Sequence, residues 1–86
     1  MKLYLNETHG IEKEEIVGIF DMDSSTVAGD TRRFLSGKEK EGRVTVTTGD
    51  IPVSFVVTAG KSKKIDIFFT RNAPKALRRR AERREI

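Results

Sequence analysis

Two apolar runs in the second half of the chain, Phe55-Val56-Val57-Thr58 and Ile65-Asp66-Ile67-Phe68-Phe69, are separated by Ala59-Gly60-Lys61-Ser62-Lys63-Lys64. β-Branched and aromatic residues in short runs suit strands, and a glycine among lysines suits an exposed hairpin tip. The chain is thereby committed to a sheet with an antiparallel pair. Val44 and Val46 alternate with Arg43, Thr45 and Thr47 as a half-buried strand requires, and Gly49-Asp50 marks a turn after it. Upstream, Leu3 and Leu5 alternate with Lys2, Tyr4 and Asn6, while Ile16-Val17-Gly18-Ile19-Phe20 reads as a buried strand behind the acidic stretch Glu12-Lys13-Glu14-Glu15.

Helical patterning interrupts these strands in two places. Asp21-Met22-Asp23-Ser24-Ser25 offers N-cap groups, and Val27, Ala28, Thr31, Phe34 and Leu35 follow at amphipathic spacing, which predicts a helix from about Ser24 to Gly37. Lys38-Glu39-Lys40-Glu41-Gly42 then reads as a connector. Asn72 or Ala73 starts a final helix with Pro74 in its first turn, where a missing N–H costs nothing, and with Ala73, Leu77 and Ala81 on one narrow apolar face. The expected class is α+β, a mainly antiparallel sheet of about five strands with two helices against it.

Residues 1–86 are read as one domain, with 71–86 as an arginine-rich C-terminal helix. A domain this short buries only about 60–65% of its unfolded surface, so self-association would help it. No run approaches the ~18 apolar residues of a membrane span, and the first residues lack the apolar stretch of a signal peptide. A cytoplasmic protein with no membrane contact is expected. Without cysteine and with His9 as its one histidine, the chain offers neither thiolate zinc sites nor a histidine-rich metal site. No metal and no cofactor are expected.

Charge is distributed unevenly. Residues 1–70 carry ten basic and eleven acidic side chains, whereas 71–86 carry seven and two, so the body is −1 and the tail +5. Arg79/Arg83 and Arg80/Arg84 set like charges at i,i+4, each costing a few tenths of a kcal/mol (~0.2–0.5) in an isolated helix. Opposite phosphates that surplus becomes favourable, although cations at a helix C-terminus also simply complement its dipole. Charge by itself leaves open a polyanion, an acidic surface of another copy, or a solvated helix end. If the polyanion is duplex DNA, phosphate neutralisation is expected through Arg32, Arg33, Lys61, Lys63, Lys64, Arg71, Lys75, Arg78, Arg79, Arg80, Arg83 and Arg84.

Three motifs resemble catalytic or ligand-binding ones and are set aside. Val17-Gly18-Ile19-Phe20-Asp21-Met22-Asp23-Ser24-Ser25 resembles the first motif of haloacid-dehalogenase-type phosphatases, in which a strand ends on a nucleophilic carboxylate followed by a general acid and base. That chemistry needs a larger doubly wound sheet, a later lysine and a distal acidic pair, so Asp21, Asp23 and Ser24 are read as helix-capping groups. Gly60-Lys61-Ser62 is similar to the end of a phosphate-binding loop, yet Phe55 stands where its first glycine belongs and a strand follows. His9 beside Gly10 is a polar turn residue. No catalytic residue is assigned and no enzymatic activity is expected.

Glu15-Ile16-Val17-Gly18-Ile19-Phe20-Asp21, Arg32-Arg33-Phe34-Leu35, Ser54-Phe55-Val56-Val57-Thr58, and Ile67-Phe68-Phe69-Thr70 followed by Ala76-Leu77-Arg78-Arg79-Arg80-Ala81, in that order, resemble the bacterial extracellular matrix regulatory protein family, especially its RemB-like branch. The resemblance implies a small sheet-and-helix regulator of biofilm matrix genes. For the related RemA branch it implies a DNA-binding homo-oligomer that closes into a ring and repeats its basic surface around it. That branch carries an arginine pair before the strand matching Ser54 to Thr58, where this chain has Gly49-Asp50-Ile51-Pro52-Val53. A basic surface here must come from other residues. Two expectations follow, a self-assembling transcriptional regulator that binds DNA, or an interaction module that pairs with a related regulator subunit and binds none.

Overall fold

The computed structural model describes residues 1–25 and 29–82. Its centre is the expected hairpin. β5 (Ser54–Ala59) and β6 (Ile65–Thr70) pair antiparallel from Ser54↔Thr70 to Ala59↔Ile65, and the Lys63 N–H closes the turn on the Gly60 carbonyl at 2.9 Å. β3 (Ile16–Asp21) lies antiparallel along the other side of β5, and β4 (Val44–Val46) lies along β6, giving the order β3-β5-β6-β4. β4 runs parallel to β6 because the chain leaving it passes beyond β6 to start β5. Alternation marks a strand but is blind to its direction, so the sequence held no sign of this parallel pair.

The first strand, β1 (Lys2–Tyr4), belongs to a separate two-stranded sheet with β2 (Gly10–Glu12), so there are six strands in two sheets where about five in one were expected. β2 escapes a pattern reading because it is three residues long and runs straight into the charged 3-10 turn Lys13–Glu15. The loop between the two strands is an Asx turn: the Asn6 side-chain oxygen accepts from the Thr8 and His9 N–H groups at 2.9 and 2.7 Å. His9 is the turn residue its neighbours implied.

Successive side chains on a strand face opposite sides, and the core divides accordingly. Val56 and Ile19 face Leu3, Leu5, Ile11 and Leu77, which come from the β1–β2 hairpin and from α3 (Pro74–Glu82). Phe55, Val57 and Ile67 face the other way, against Leu35 of α2 (Gly29–Lys40) and Met22 of the single helical turn α1 (Met22–Ser25). The four-stranded sheet is therefore the middle of three layers. β5 is covered on both faces, which explains its unbroken apolar run.

The helices depart from expectation at their ends. α2 continues three residues past Gly37 to Lys40 and stops in a Schellman arrangement, with Gly42 in the left-handed conformation at φ 73°. The Gly42 N–H bonds the Glu39 carbonyl at 3.0 Å and the Arg43 N–H bonds the Lys38 carbonyl at 2.9 Å. Gly42, not Gly37, is the stop, and the supposed connector is the last helical turn. Val27 and Ala28, expected on this helix's apolar face, lie outside the described residues. α3 has Pro74 in its first turn as expected and buries Leu77, with Ala81 packed on the same cluster, but it begins at Pro74 rather than at Asn72 or Ala73, and Ala73 is exposed.

Candidate functional site

Arg78 and Arg80, on the helix with the densest positive charge, are exposed, and each also donates to a backbone carbonyl. Pairing of Met22 with Val53, joined by a 2.8 Å backbone hydrogen bond, puts Phe20 and Gly18 in hydrogen-bonded pairs with β5 and turns the carbonyl of Ile19 outward, to the free side of β3. The Arg78 guanidinium donates to that carbonyl at 2.8 Å, so α3 lies along the edge strand and covers part of it. Arg80 reaches the Tyr4 carbonyl at 3.4 Å. Arg71, at the end of β6, donates to the Ile51 carbonyl at 2.9 Å. Lys75 and Arg79 are exposed, and Arg83 and Arg84 lie outside the described residues.

Arg32 and Arg33 are exposed on α2, which covers the opposite face of the sheet from α3, and Arg33 is ion-paired to Asp30 one helical turn away. The two arginine groups singled out in the sequence therefore do not form one surface.

A different set of cations converges at the end of the sheet where β6 and β4 begin. The Schellman bond folds Arg43 back onto the last turns of α2, beside Lys38, and the hairpin tip brings in Lys63 and Lys64. These four with Glu41 and Ile65 line a half-open cavity of about 430 Å³. Two of the cations are held in place. Lys38 is only 22% exposed, paired with Glu41 at 3.4 Å and lying 5.9 Å from the centre of the Phe34 ring. Arg43 is 28% exposed and paired through Nε with Asp66 at 3.5 Å, while its own carbonyl accepts from Ile67 N–H. Among the described residues no carboxylate pairs with Lys63 or Lys64, and Lys63 sits at φ 62°, a left-handed conformation that costs a residue with a Cβ about 1–2 kcal/mol.

Lys61 is on the other flank of the tip. It shares a second cavity, of about 630 Å³, with Glu12, Glu14 and Glu15. Glu14 also meets the N-terminal ammonium at 3.4 Å; a backbone hydrogen bond first, and that ammonium second, hold its carboxyl below the ordinary range. The hairpin lysines are thus divided, Lys61 toward carboxylates and Lys63 and Lys64 toward further cations. Lys38 and Arg43 do not stand out in the sequence because Lys38 opens an apparent connector and Arg43 alternates with Val44 and Val46 as the polar face of a strand. The signal that finds them is Gly42 read as the helix stop, since the geometry after such a glycine returns the next residue to the turn before it.

A third feature is apolar. Val17, Phe20 and Phe34, 64%, 41% and 40% exposed, stand around a groove of about 430 Å³ whose floor is Phe55 and Val57. Phe20 stacks on Phe55 at 5.3 Å, and its ring lies back over Gly18, where a Cβ would approach ring atoms to 2.6 Å. Asp21 ends β3 directly before α1, and Asp23 in that turn is exposed.

Fold and surface together define a small α+β domain with four of its cations gathered at one end of the sheet and an apolar groove that opens beside an edge strand. No helix among the described residues is long and apolar enough to cross a membrane. No protein-family model matches the chain, and no curated protein matches it in sequence.

Proposed function

We propose that the chain is a non-enzymatic regulator that binds duplex DNA by phosphate neutralisation, centred on the end of the sheet that carries Lys38, Arg43, Lys63 and Lys64. One observation supports this above the others. Two segments distant in sequence, 38–43 and 63–66, bring four cations around one cavity against Glu41 and Asp66, with two of the four held in place before any ligand arrives. Like charges gathered in this way repel one another in the free protein and are relieved by a polyanion. Neither Asn nor Gln takes part, so shape and charge, rather than base edges, would carry recognition.

The resemblance to extracellular matrix regulatory proteins gives this reading its biological setting, control of matrix genes by a closed homo-oligomer that repeats the basic end around a ring. Repetition would multiply a weak contact into useful affinity. The apolar groove favours a second reading, an interaction module that docks a related regulator subunit and binds no DNA.

Duplex binding measured across a salt series, with molecular mass recorded on the same sample, separates the two. The first reading expects log affinity to fall by about 0.9 per neutralised phosphate for each tenfold rise in salt. An assembled protein that binds no duplex at low salt selects the second. With magnesium present, phosphate monoester hydrolysis should not exceed that of an Asp21→Asn variant; turnover lost in that variant with its fold intact would make the chain an enzyme.

A further inference from the structure

The geometry points to something narrower than a basic patch: the cavity between the last turn of α2 and the β5–β6 hairpin is a site for a single phosphate dianion, and a small phosphorylated ligand occupying it would compete with DNA for the protein. This rests on the proposed DNA contact only for the competition; the phosphate site stands on its own residues.

Two of the four cations on this cavity differ from those of a solvated lysine cluster in being fixed. Lys38 and Arg43 have most of their side-chain surface covered, and each is held by one carboxylate, Glu41 and Asp66. Two acids against four cations leave a surplus of two positive charges at the cavity, which equals the charge of a phosphate monoester above its second pKa of about 6. The surplus falls on Lys63 and Lys64, opposite the fixed pair. Backbone bonds hold both sides: Ile67 N–H on the Arg43 carbonyl between β6 and the start of β4, and Lys63 N–H on the Gly60 carbonyl in the hairpin turn, 2.9 Å each.

The helix end beneath the cavity would ordinarily repel an anion. Here the Schellman bonds use the carbonyls of Lys38 and Glu39, and Lys38 and Lys40 stand in the last turn against the dipole. Lys63 places its charge at a position whose backbone does not favour it. Glycine would occupy a left-handed position without strain, and lysine is there instead.

The test is an amide NMR titration of the full chain with inorganic phosphate, at constant ionic strength with chloride as the replaced anion. A parallel arm uses a short duplex. Saturable shifts confined to residues around 38–43 and 61–66 are expected, stronger at pH above the phosphate pKa than below it. Lys63→Gly with Lys64→Gln should weaken phosphate by about tenfold or more, the effect of losing charge-assisted hydrogen bonds, in a protein whose spectrum shows the fold retained. Phosphate should displace the duplex from the wild type. Diffuse, non-saturating shifts that match chloride overturn the site even where the duplex binds normally. Saturable phosphate binding with no duplex binding keeps the site and removes the DNA reading. Phosphate and duplex bound together, without displacement, leave two separate surfaces and overturn the competition.

Discussion

The arginine helix and the lysine hairpin teach opposite lessons about charge. α3 carries Arg78, Arg79 and Arg80 in succession, yet Arg78 is bonded to the outward carbonyl of Ile19 and Arg80 to that of Tyr4, and Leu77 beneath them is fully buried. The hairpin tip contributes only Lys63 and Lys64 to its cavity, but folding places Lys38 and Arg43 against them. Density of charge along a sequence measures how many cations are present. Which of them remain available to a ligand depends on where backbone carbonyls and carboxylates stand once the chain has folded.

If α3 is mainly a structural strap, its loss should register in stability before anything else. Leu77→Ala removes a side chain with no exposed surface between the helix, β3 and the β1–β2 hairpin, and should cost about 2–5 kcal/mol, measured by urea unfolding. Arg78→Ala should cost about 1 kcal/mol by the same measurement, because it leaves the edge carbonyl of Ile19 without its charged donor. An Arg78→Ala protein as stable as wild type but weaker on DNA would return α3 to the binding surface.

The hairpin should behave in the reverse sense. Lys63→Gly removes a cation and at the same time relieves a left-handed φ, so stability should rise by about 0.5 kcal/mol while anion affinity falls. A substitution that stabilises and disables together is hard to attribute to damage. The smallest effect concerns the acidic flank. The Glu14 carboxyl is depressed below 4.5, so it favours the folded state above its unfolded pKa, and that contribution is lost as pH falls through the lower folded value. Glu14→Gln should therefore slightly flatten the acid limb of a thermal-melting profile and leave the profile above pH 4.5 unchanged in shape.

These regions also show which parts of the molecule were legible in the sequence. The β5–β6 pairing, β3 and the start of α3 follow from local pattern, since each is a run long enough to carry a period and is bounded by glycine, proline or charge. β2 was too short to carry one, and the parallel placement of β4 depends on a crossing of the chain that leaves no local mark. The basic cavity was half legible. Lys63 and Lys64 stood out as an exposed tip, whereas Lys38 and Arg43 are joined to them only by the turn at Gly42 and by the pairing of β4 with β6. Arg78 was visible as a charge, but its partner, a carbonyl on the edge strand that no other strand pairs, is a tertiary fact.

The central claim is that the hairpin end, rather than the arginine helix, meets the phosphates. Two double reversals of equal net charge compare them directly, Lys63→Glu with Lys64→Glu and Lys75→Glu with Arg79→Glu, all four side chains being exposed. Duplex binding by fluorescence anisotropy across a salt series, on proteins of matched oligomeric mass, should show the hairpin reversal lowering affinity and flattening the salt slope by about 1.8, two phosphates' worth per subunit. The helix reversal should leave that slope close to the wild-type value. A slope flattened by the helix reversal and untouched by the hairpin reversal would contradict the account, and equal flattening by both would show that charge alone, without a located site, holds the DNA.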